Sequence, residues 1–76
     1  MTKEEVLQEF EKLGYKIQEL KYYIYLEDDE KEIIIDKDSR TYNCSVLGSY
    51  AYTDISIHEH RLLHQLFYAL GWLNYE

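Results

Sequence analysis

The chain has 76 residues, of which 46% are hydrophobic and none is proline. A chain of this size has room for one folded domain, which we expect over residues 1–76. Its formal net charge of −7 opposes binding to nucleic-acid phosphates and to anionic lipid surfaces. No apolar run approaches the roughly 20 residues that span a bilayer. The single cysteine, Cys44, and the polar start of the chain predict a cytoplasmic protein.

The first predicted element is a helix that begins after Thr2. The sequence Thr2-Lys3-Glu4-Glu5 has the spacing of a capping box. Apolar residues follow at helical spacing, namely Val6, Leu7, Phe10 and Leu13. Gly14 is expected to end this helix with left-handed backbone.

The middle of the chain predicts a three-stranded antiparallel meander. We expect a single strand over residues 15–27, a second over residues 32–37 and a third over about residues 41–47. The connections are too short for anything but antiparallel neighbours. One face of the first strand carries Leu20, Tyr22, Ile24 and Leu26. The opposite, outer face is expected to carry Lys21, Tyr23, Tyr25 and Ile34.

A second helix is predicted after Ser56, where Ser56-Ile57-His58-Glu59 repeats the capping-box spacing. Its apolar face comprises Leu62, Leu63, Leu66, Phe67, Ala69 and Leu70. Gly71 ends it, and Trp72 is expected to fold back onto the last turn, with Leu73 and Tyr75 extending the contact. The predicted fold is therefore α+β in the order αβββα, with two layers and both helices on one face of the sheet.

Negative charge is concentrated in residues 27–38, where seven acids less two lysines give −5 of the total −7. Such a patch on a folded element predicts a basic partner. The candidate partner-binding carboxylates are Glu27, Asp28, Asp29, Glu30, Glu32, Asp36 and Asp38. Two alternatives stay open: the acids keep the protein in solution, or they guard strand edges against aggregation.

Tyrosine is abundant, with nine residues in the chain. Tyrosine supplies large contact area and a polar tip at interfaces, so Tyr23 and Tyr25 on the outer sheet face are candidate partner-binding residues. The alternative is that tyrosine fills strands because its strand propensity is high. On the second helix, Arg61, His64 and Tyr68 form a polar stripe, from which Arg61 and Tyr68 are further candidates.

No motif of catalysis or metal binding is present. His60 and His64 have the spacing of a helical zinc site, and His58 lies nearby, but a third ligand is missing. A turn of solvated acids does not shift a carboxyl pKa toward neutrality, as general acid-base catalysis requires. We therefore expect neither a metal nor a cofactor, and no enzymatic activity.

The predicted order αβββα is also that of double-stranded RNA-binding domains. In that family a lysine cluster at the start of the second helix binds phosphates. The corresponding residues 56–61 here contain one arginine and one glutamate. Direct nucleic-acid binding is therefore not expected.

Three features of the chain stand out: the opening Met1-Thr2-Lys3-Glu4-Glu5-Val6-Leu7, the tyrosine-rich meander and the closing His64-Gln65-Leu66-Phe67-Tyr68-Ala69-Leu70-Gly71-Trp72. In these features the chain resembles small acidic proteins of phages and prophages of Gram-positive bacteria. Among these, several anti-CRISPR proteins occupy the DNA-binding surface of a Cas nuclease. The resemblance implies an inhibitor that mimics DNA, and it assigns no individual residue a role. The alternative hypothesis is a self-associating structural or regulatory phage protein, a homodimer with Tyr23, Tyr25 and Ile34 at its interface.

Overall fold

The computed structural model describes residues 1–73 and contains two helices and a four-stranded sheet. In chain order the elements are α1 (Lys3–Lys12), β1 (Lys16–Glu19), β2 (Tyr23–Glu27), β3 (Lys31–Asp36), β4 (Thr41–Val46) and α2 (Ile57–Ala69). The strands lie in the order β1-β2-β3-β4, and each pair of neighbours is antiparallel. The α+β class and the meander are confirmed, whereas the predicted number of strands is wrong. Within residues 1–73, neither helix combines the length and apolarity needed to cross a bilayer.

Both helices begin and end as predicted. At α1 the Thr2 hydroxyl accepts from the Glu5 amide at 3.2 Å, and the Glu5 carboxylate accepts from the Thr2 amide at 3.1 Å. Ser56 and Glu59 form the same reciprocal pair at α2. Each pair satisfies two of the amides that a helix start leaves without partners.

The predicted single strand over residues 15–27 is a hairpin made of β1 and β2. The Leu20 amide donates to the Tyr23 carbonyl at 2.8 Å, so the chain reverses at Lys21 and Tyr22. Neither turn residue has a positive φ. The turn therefore needs no glycine or asparagine. The alternation of apolar residues continues through the turn, so no residue marks its position in the sequence. Leu20 and Tyr22, predicted on the inner face, are 43% and 56% exposed.

The core lies between the two helices and one face of the sheet. Its fully buried side chains are Val6, Phe10, Ile24, Leu26, Ile33, Ile35, Leu63 and Leu66. Trp72 stacks on Phe67 with ring centroids 5.7 Å apart, which confirms that the chain folds back after Gly71. Leu73 is half-buried, and Tyr75 lies outside the described residues. Leu13 and Ala69, predicted on apolar helix faces, are exposed.

The opposite face of the sheet is the outer face, and the strand register defines its rows. Tyr25 lies between Gln18 of β1 and Ile34 of β3, and Tyr23 lies opposite Asp36. Both helices pack on the other side, so no element within residues 1–73 covers this face. Tyr23, Tyr25 and Ile34 occupy the predicted face, whereas Lys21 lies in the β1–β2 turn.

Candidate protein-binding surface

Five carboxylates gather where β2 turns into β3, and we call this region the acidic end. They are Glu27, Asp28, Asp29, Glu30 and Glu32. Glu27 and Glu32 lie directly opposite each other in the register of β2 and β3. Like charges directly opposite each other on a sheet repel and lower stability. The acidic end therefore has a strong local field of one sign.

Asp28 differs from its neighbours because its side chain builds the turn. Its Oδ1 accepts hydrogen bonds from the amides of Glu30 and Lys31, both at 2.8 Å. Asp36 has the same role before the β3–β4 turn, where its Oδ1 accepts from the amides of residues 38 and 39. These two acids shape turns, whereas Asp29 and Glu30 are exposed and their carboxylates have no such role.

The two lysines within residues 27–38 do not neutralise the acidic end. Lys31 Nζ lies 2.9 Å from Glu59 Oε1 on α2, and Lys37 Nζ lies 2.9 Å from Glu19 Oε2 at the end of β1. Both cations are thus paired with acids from outside the segment. The five carboxylates of the acidic end therefore have no ion-pair partner among the described residues.

Glu59 is the centre of a buried polar cluster that sequence reasoning missed. It is 7% exposed, and its carboxylate accepts from the Tyr15 hydroxyl, from Lys31 Nζ and from the Ser56 amide. Burial alone would raise the pKa of Glu59, but the hydrogen bonds from Tyr15, Lys31 and Ser56 outweigh burial and lower it to about 2. Burial and Glu59 raise the pKa of the Tyr15 hydroxyl.

This cluster stabilises the fold and offers no catalytic group. Both oxygens of Glu59 are occupied, and the carboxylate stays ionised at neutral pH, so it is neither a free base nor a proton donor. The sequence contained part of the signal for this cluster. Because side chains alternate along β3, Lys31 lies on the inner face with Ile33 and Ile35. Nothing in the sequence indicated that Tyr15 would join the pair.

Two exposed tyrosines lie on the loop after β4. Tyr50 is 101% exposed and Tyr52 is 80% exposed. The loop is nonetheless held in place, since the Val46 amide donates to the Ala51 carbonyl at 2.9 Å and Tyr52 forms a bridge to Ser45. Sequence reasoning did not select these tyrosines, because a loop has no periodicity that indicates exposure.

This loop borders the acidic end. The Leu47 amide donates to the Glu30 carbonyl at 2.9 Å. Glu32, Leu47 and Tyr50 line a common depression. The acidic end thus continues into an exposed aromatic residue, and the pair offers both charge and contact area to a partner.

The predicted partner-binding residues do not form one surface. Asp38, which is exposed, lies with Tyr23 at the opposite end of the sheet. The six residues of β3 between the two ends span about 20 Å. Arg61 and Tyr68 lie on α2, in the other layer, where Arg61 is exposed and Tyr68 is half-buried rather than on a solvated face. Tyr25 lies between the two ends of the sheet.

A depression of about 360 Å³ lies on the outer face next to the acidic end. Its lining residues are Lys16, Ile17, Gln18, Tyr25, Glu27 and Glu32. In the register, Lys16 lies opposite Glu27, and Gln18 lies opposite Tyr25. The depression therefore joins the carboxylates of the acidic end to the aromatic centre of the sheet.

Two of the three histidines of α2 lie close together. The rings of His60 and His64 have centroids 4.5 Å apart, and all three histidines are exposed. In the described part of the chain, no three histidine, cysteine or acidic side chains are grouped to hold a metal ion. Cys44 is buried on β4, where burial raises the pKa of its thiol.

Comparison of the chain with models of protein families, with curated proteins and with solved structures gave no match.

Proposed function

We propose that this protein is a small acidic inhibitor that occupies a basic, nucleic-acid-binding surface of a defence protein, such as a CRISPR-Cas nuclease, in the cytoplasm of a bacterial host. In this role the acidic end takes the place of nucleic-acid phosphates. The protein acts stoichiometrically, by binding, and performs no chemistry on its partner. The resemblance to phage-encoded acidic proteins supports the choice of partner.

The observation that carries the proposal is the opposed pair of Glu27 and Glu32, to which no cation is paired within residues 1–73. This arrangement lowers the stability of the free protein. A partner that presents lysines and arginines relieves the repulsion on binding. Complementary charge also accelerates encounter and excludes partners of the same sign.

Solubility alone is a weaker explanation of this surface. Acids that only keep a protein in solution need no particular position and work best when they separate apolar patches. Here the carboxylates adjoin Tyr50, whose ring is fully exposed, and the partly exposed Leu47. Exposed aromatic residues beside charges are typical of interfaces.

Self-association through the outer face is disfavoured by the positions of its carboxylates. Glu27 and Glu32 lie at one end of β2 and β3, and Asp36 lies at the other end of β3 on the same face. A second copy packed on this face brings the same carboxylates toward them, and like charges brought together cost binding energy.

Affinity capture from host lysate with charge-reversed variants tests the proposal. Asp29→Lys/Glu30→Lys reverses two exposed carboxylates of the acidic end, and Glu4→Lys/Glu11→Lys reverses two exposed carboxylates of α1. The proposal predicts that the unaltered protein and the control retain a nucleic-acid-binding protein, which the acidic-end variant loses. Equal retention by both variants, or retention only of proteins without a nucleic-acid-binding surface, would contradict it.

A further inference from the structure

We infer that the depression beside the acidic end binds an arginine side chain of the partner protein. This inference rests on the proposed function for the partner and names the group that the partner presents. The depression is concave, opens on the uncovered outer face and combines an aromatic ring with two carboxylates. The negative charge of the depression and its aromatic ring complement the positive charge and the planar shape of a guanidinium group.

The geometry sets the two carboxylates beside the ring. Glu27 and Glu32 lie opposite each other on adjacent strands, and Tyr25 lies two residues before Glu27 on the same face of β2. Tyr25 is half-buried, and its ring centroid lies 5.9 Å from that of Tyr23, which limits its freedom to move. A flat cation that enters the depression meets the ring on one side and carboxylate oxygens at its edge.

Lys16 also lines the depression, and it is the one cation there. It lies opposite Glu27 but forms no ion pair with it within residues 1–73. Glu32 is a further strand away, so its backbone lies about 10 Å from that of Lys16. Glu32 is therefore the carboxylate with the least compensation, and we assign it as the main partner of the guanidinium.

Other occupants fit less well. A phosphate or other anion meets two carboxylates and is repelled. An apolar side chain would bury Glu27 and Glu32 without partners, which is costly. A divalent cation finds two carboxylates with four oxygens in total, fewer than the six to eight oxygen ligands that Ca²⁺ takes.

Arginine fits better than lysine because of its shape. The guanidinium is planar, binds a carboxylate through two parallel hydrogen bonds and stacks on an aromatic ring. An ammonium is a compact, strongly hydrated charge without this geometry. A tyrosine ring beside two carboxylates therefore selects arginine over a lysine of equal charge.

The test is a titration of the full chain with two peptides of equal charge, followed by backbone amide chemical shifts. One five-residue peptide carries two arginines, and the other carries two lysines at the same positions. We expect the arginine peptide to bind at least about threefold more tightly, because a guanidinium both stacks on an aromatic ring and forms two parallel hydrogen bonds with a carboxylate, whereas an ammonium does neither. The largest shifts should occur at Gln18, Tyr25, Glu27 and Glu32.

Matched variants separate the ring from the charge. Tyr25→Leu should abolish the preference for arginine, whereas Tyr52→Leu, which alters an exposed tyrosine outside the depression, should keep it. Glu32→Gln should lower the affinity for the arginine peptide about three- to fivefold, and Glu30→Gln should lower it less than about twofold. Equal affinities of the two peptides, or an equal effect of Glu32→Gln and Glu30→Gln, would overturn the assignment.

The titration needs no partner protein, so the two proposals fail separately. Loss of the arginine preference would leave the capture result at the acidic end intact and would remove only the guanidinium site. Capture of no nucleic-acid-binding protein, with the arginine preference present, would contradict the proposed function and retain the site as a binder of arginine side chains.

Discussion

Lys31 Nζ lies 2.9 Å from Glu59 Oε1, and this ion pair joins β3 to the first turn of α2. The pair lies in the core layer, and Glu59 is only 7% exposed. Lys31 is therefore paired with an acid of α2 and, among the described residues, forms no ion pair with a carboxylate of the acidic end. Removing one member of a buried pair leaves the other charge unpaired, which is strongly destabilising.

The first prediction concerns pH. The pKa of Glu59 is about 2 in the folded protein, below its ordinary 4.5. The unfolded chain therefore binds more protons between these values, and the free energy of unfolding falls as the pH drops from 4.5 toward 2. Glu59→Gln should remove this part of the pH dependence and cost about 3–5 kcal/mol at neutral pH, because it leaves Lys31 without its partner. Urea unfolding at several pH values measures both.

Glu11→Gln is the control for this experiment, because Glu11 is exposed and its carboxylate has no partner among the described residues. Its unfolding curve should match that of the unaltered protein at each pH. If Glu59→Gln and Glu11→Gln lost stability alike on acidification, the buried cluster would not be the source of the pH dependence.

The second prediction tests the hairpin and the core together. Leu66 is fully buried on the inner face of α2, so Leu66→Ala should cost about 2–5 kcal/mol. Leu20 is 43% exposed at the β1–β2 turn, and Leu20→Ala should cost under about 1 kcal/mol. Thermal melts compare the two variants. Similar losses would support the single strand that the sequence predicted and contradict the hairpin.

The third prediction distinguishes the roles of adjacent acids in the β2–β3 turn. Asp28→Ala should lower the free energy of unfolding by about 1 kcal/mol, since it removes the acceptor of two amides. Asp29→Ala should leave stability unchanged within about 0.5 kcal/mol, because its side chain is exposed. Chemical denaturation reports the difference. An equal cost at both positions would mean that Asp28 does not organise the turn.

Local signals in the sequence were sufficient for the helices and for most of the sheet. Capping boxes and glycines act within a few residues, so Thr2 and Ser56 correctly marked both helix starts. The hairpin at Lys21 and Tyr22 was missed because its turn needs no residue with a positive φ. A residue from a distant part of the chain contacts this hairpin instead: Lys37 Nζ donates a hydrogen bond to the Leu20 carbonyl at 2.8 Å.

The candidate surface was less predictable than the fold. The negative charge of residues 27–38 is visible in the sequence, but its division between two ends of the sheet follows from strand pairing. The pairing of Lys31 with Glu59 joins residues 28 positions apart. The exposure of Tyr50 depends on a loop whose path is set by tertiary hydrogen bonds. Single-sequence patterns carry no information on such contacts.

The fourth prediction concerns zinc. His60 and His64 are close, but the described residues supply no third ligand, so any binding should be weak. Added zinc should leave the melting temperature unchanged, and dialysed protein should contain no stoichiometric metal. A rise in melting temperature that disappears in His60→Ala/His64→Ala would contradict this prediction.

The central claim is that the acidic end occupies a surface meant for nucleic acid, and competition tests it most directly. Fluorescence anisotropy of labelled target DNA on the purified partner, such as a guide-loaded Cas nuclease, is followed while this protein is added. We expect stoichiometric displacement of the DNA. The displacement should become weaker as salt is added, because at 0.1 M salt charges more than about 10 Å apart are largely screened from each other. Asp29→Lys/Glu30→Lys should fail to displace it. A ternary complex in which DNA stays bound, or displacement unaffected by salt and by this variant, would contradict the account.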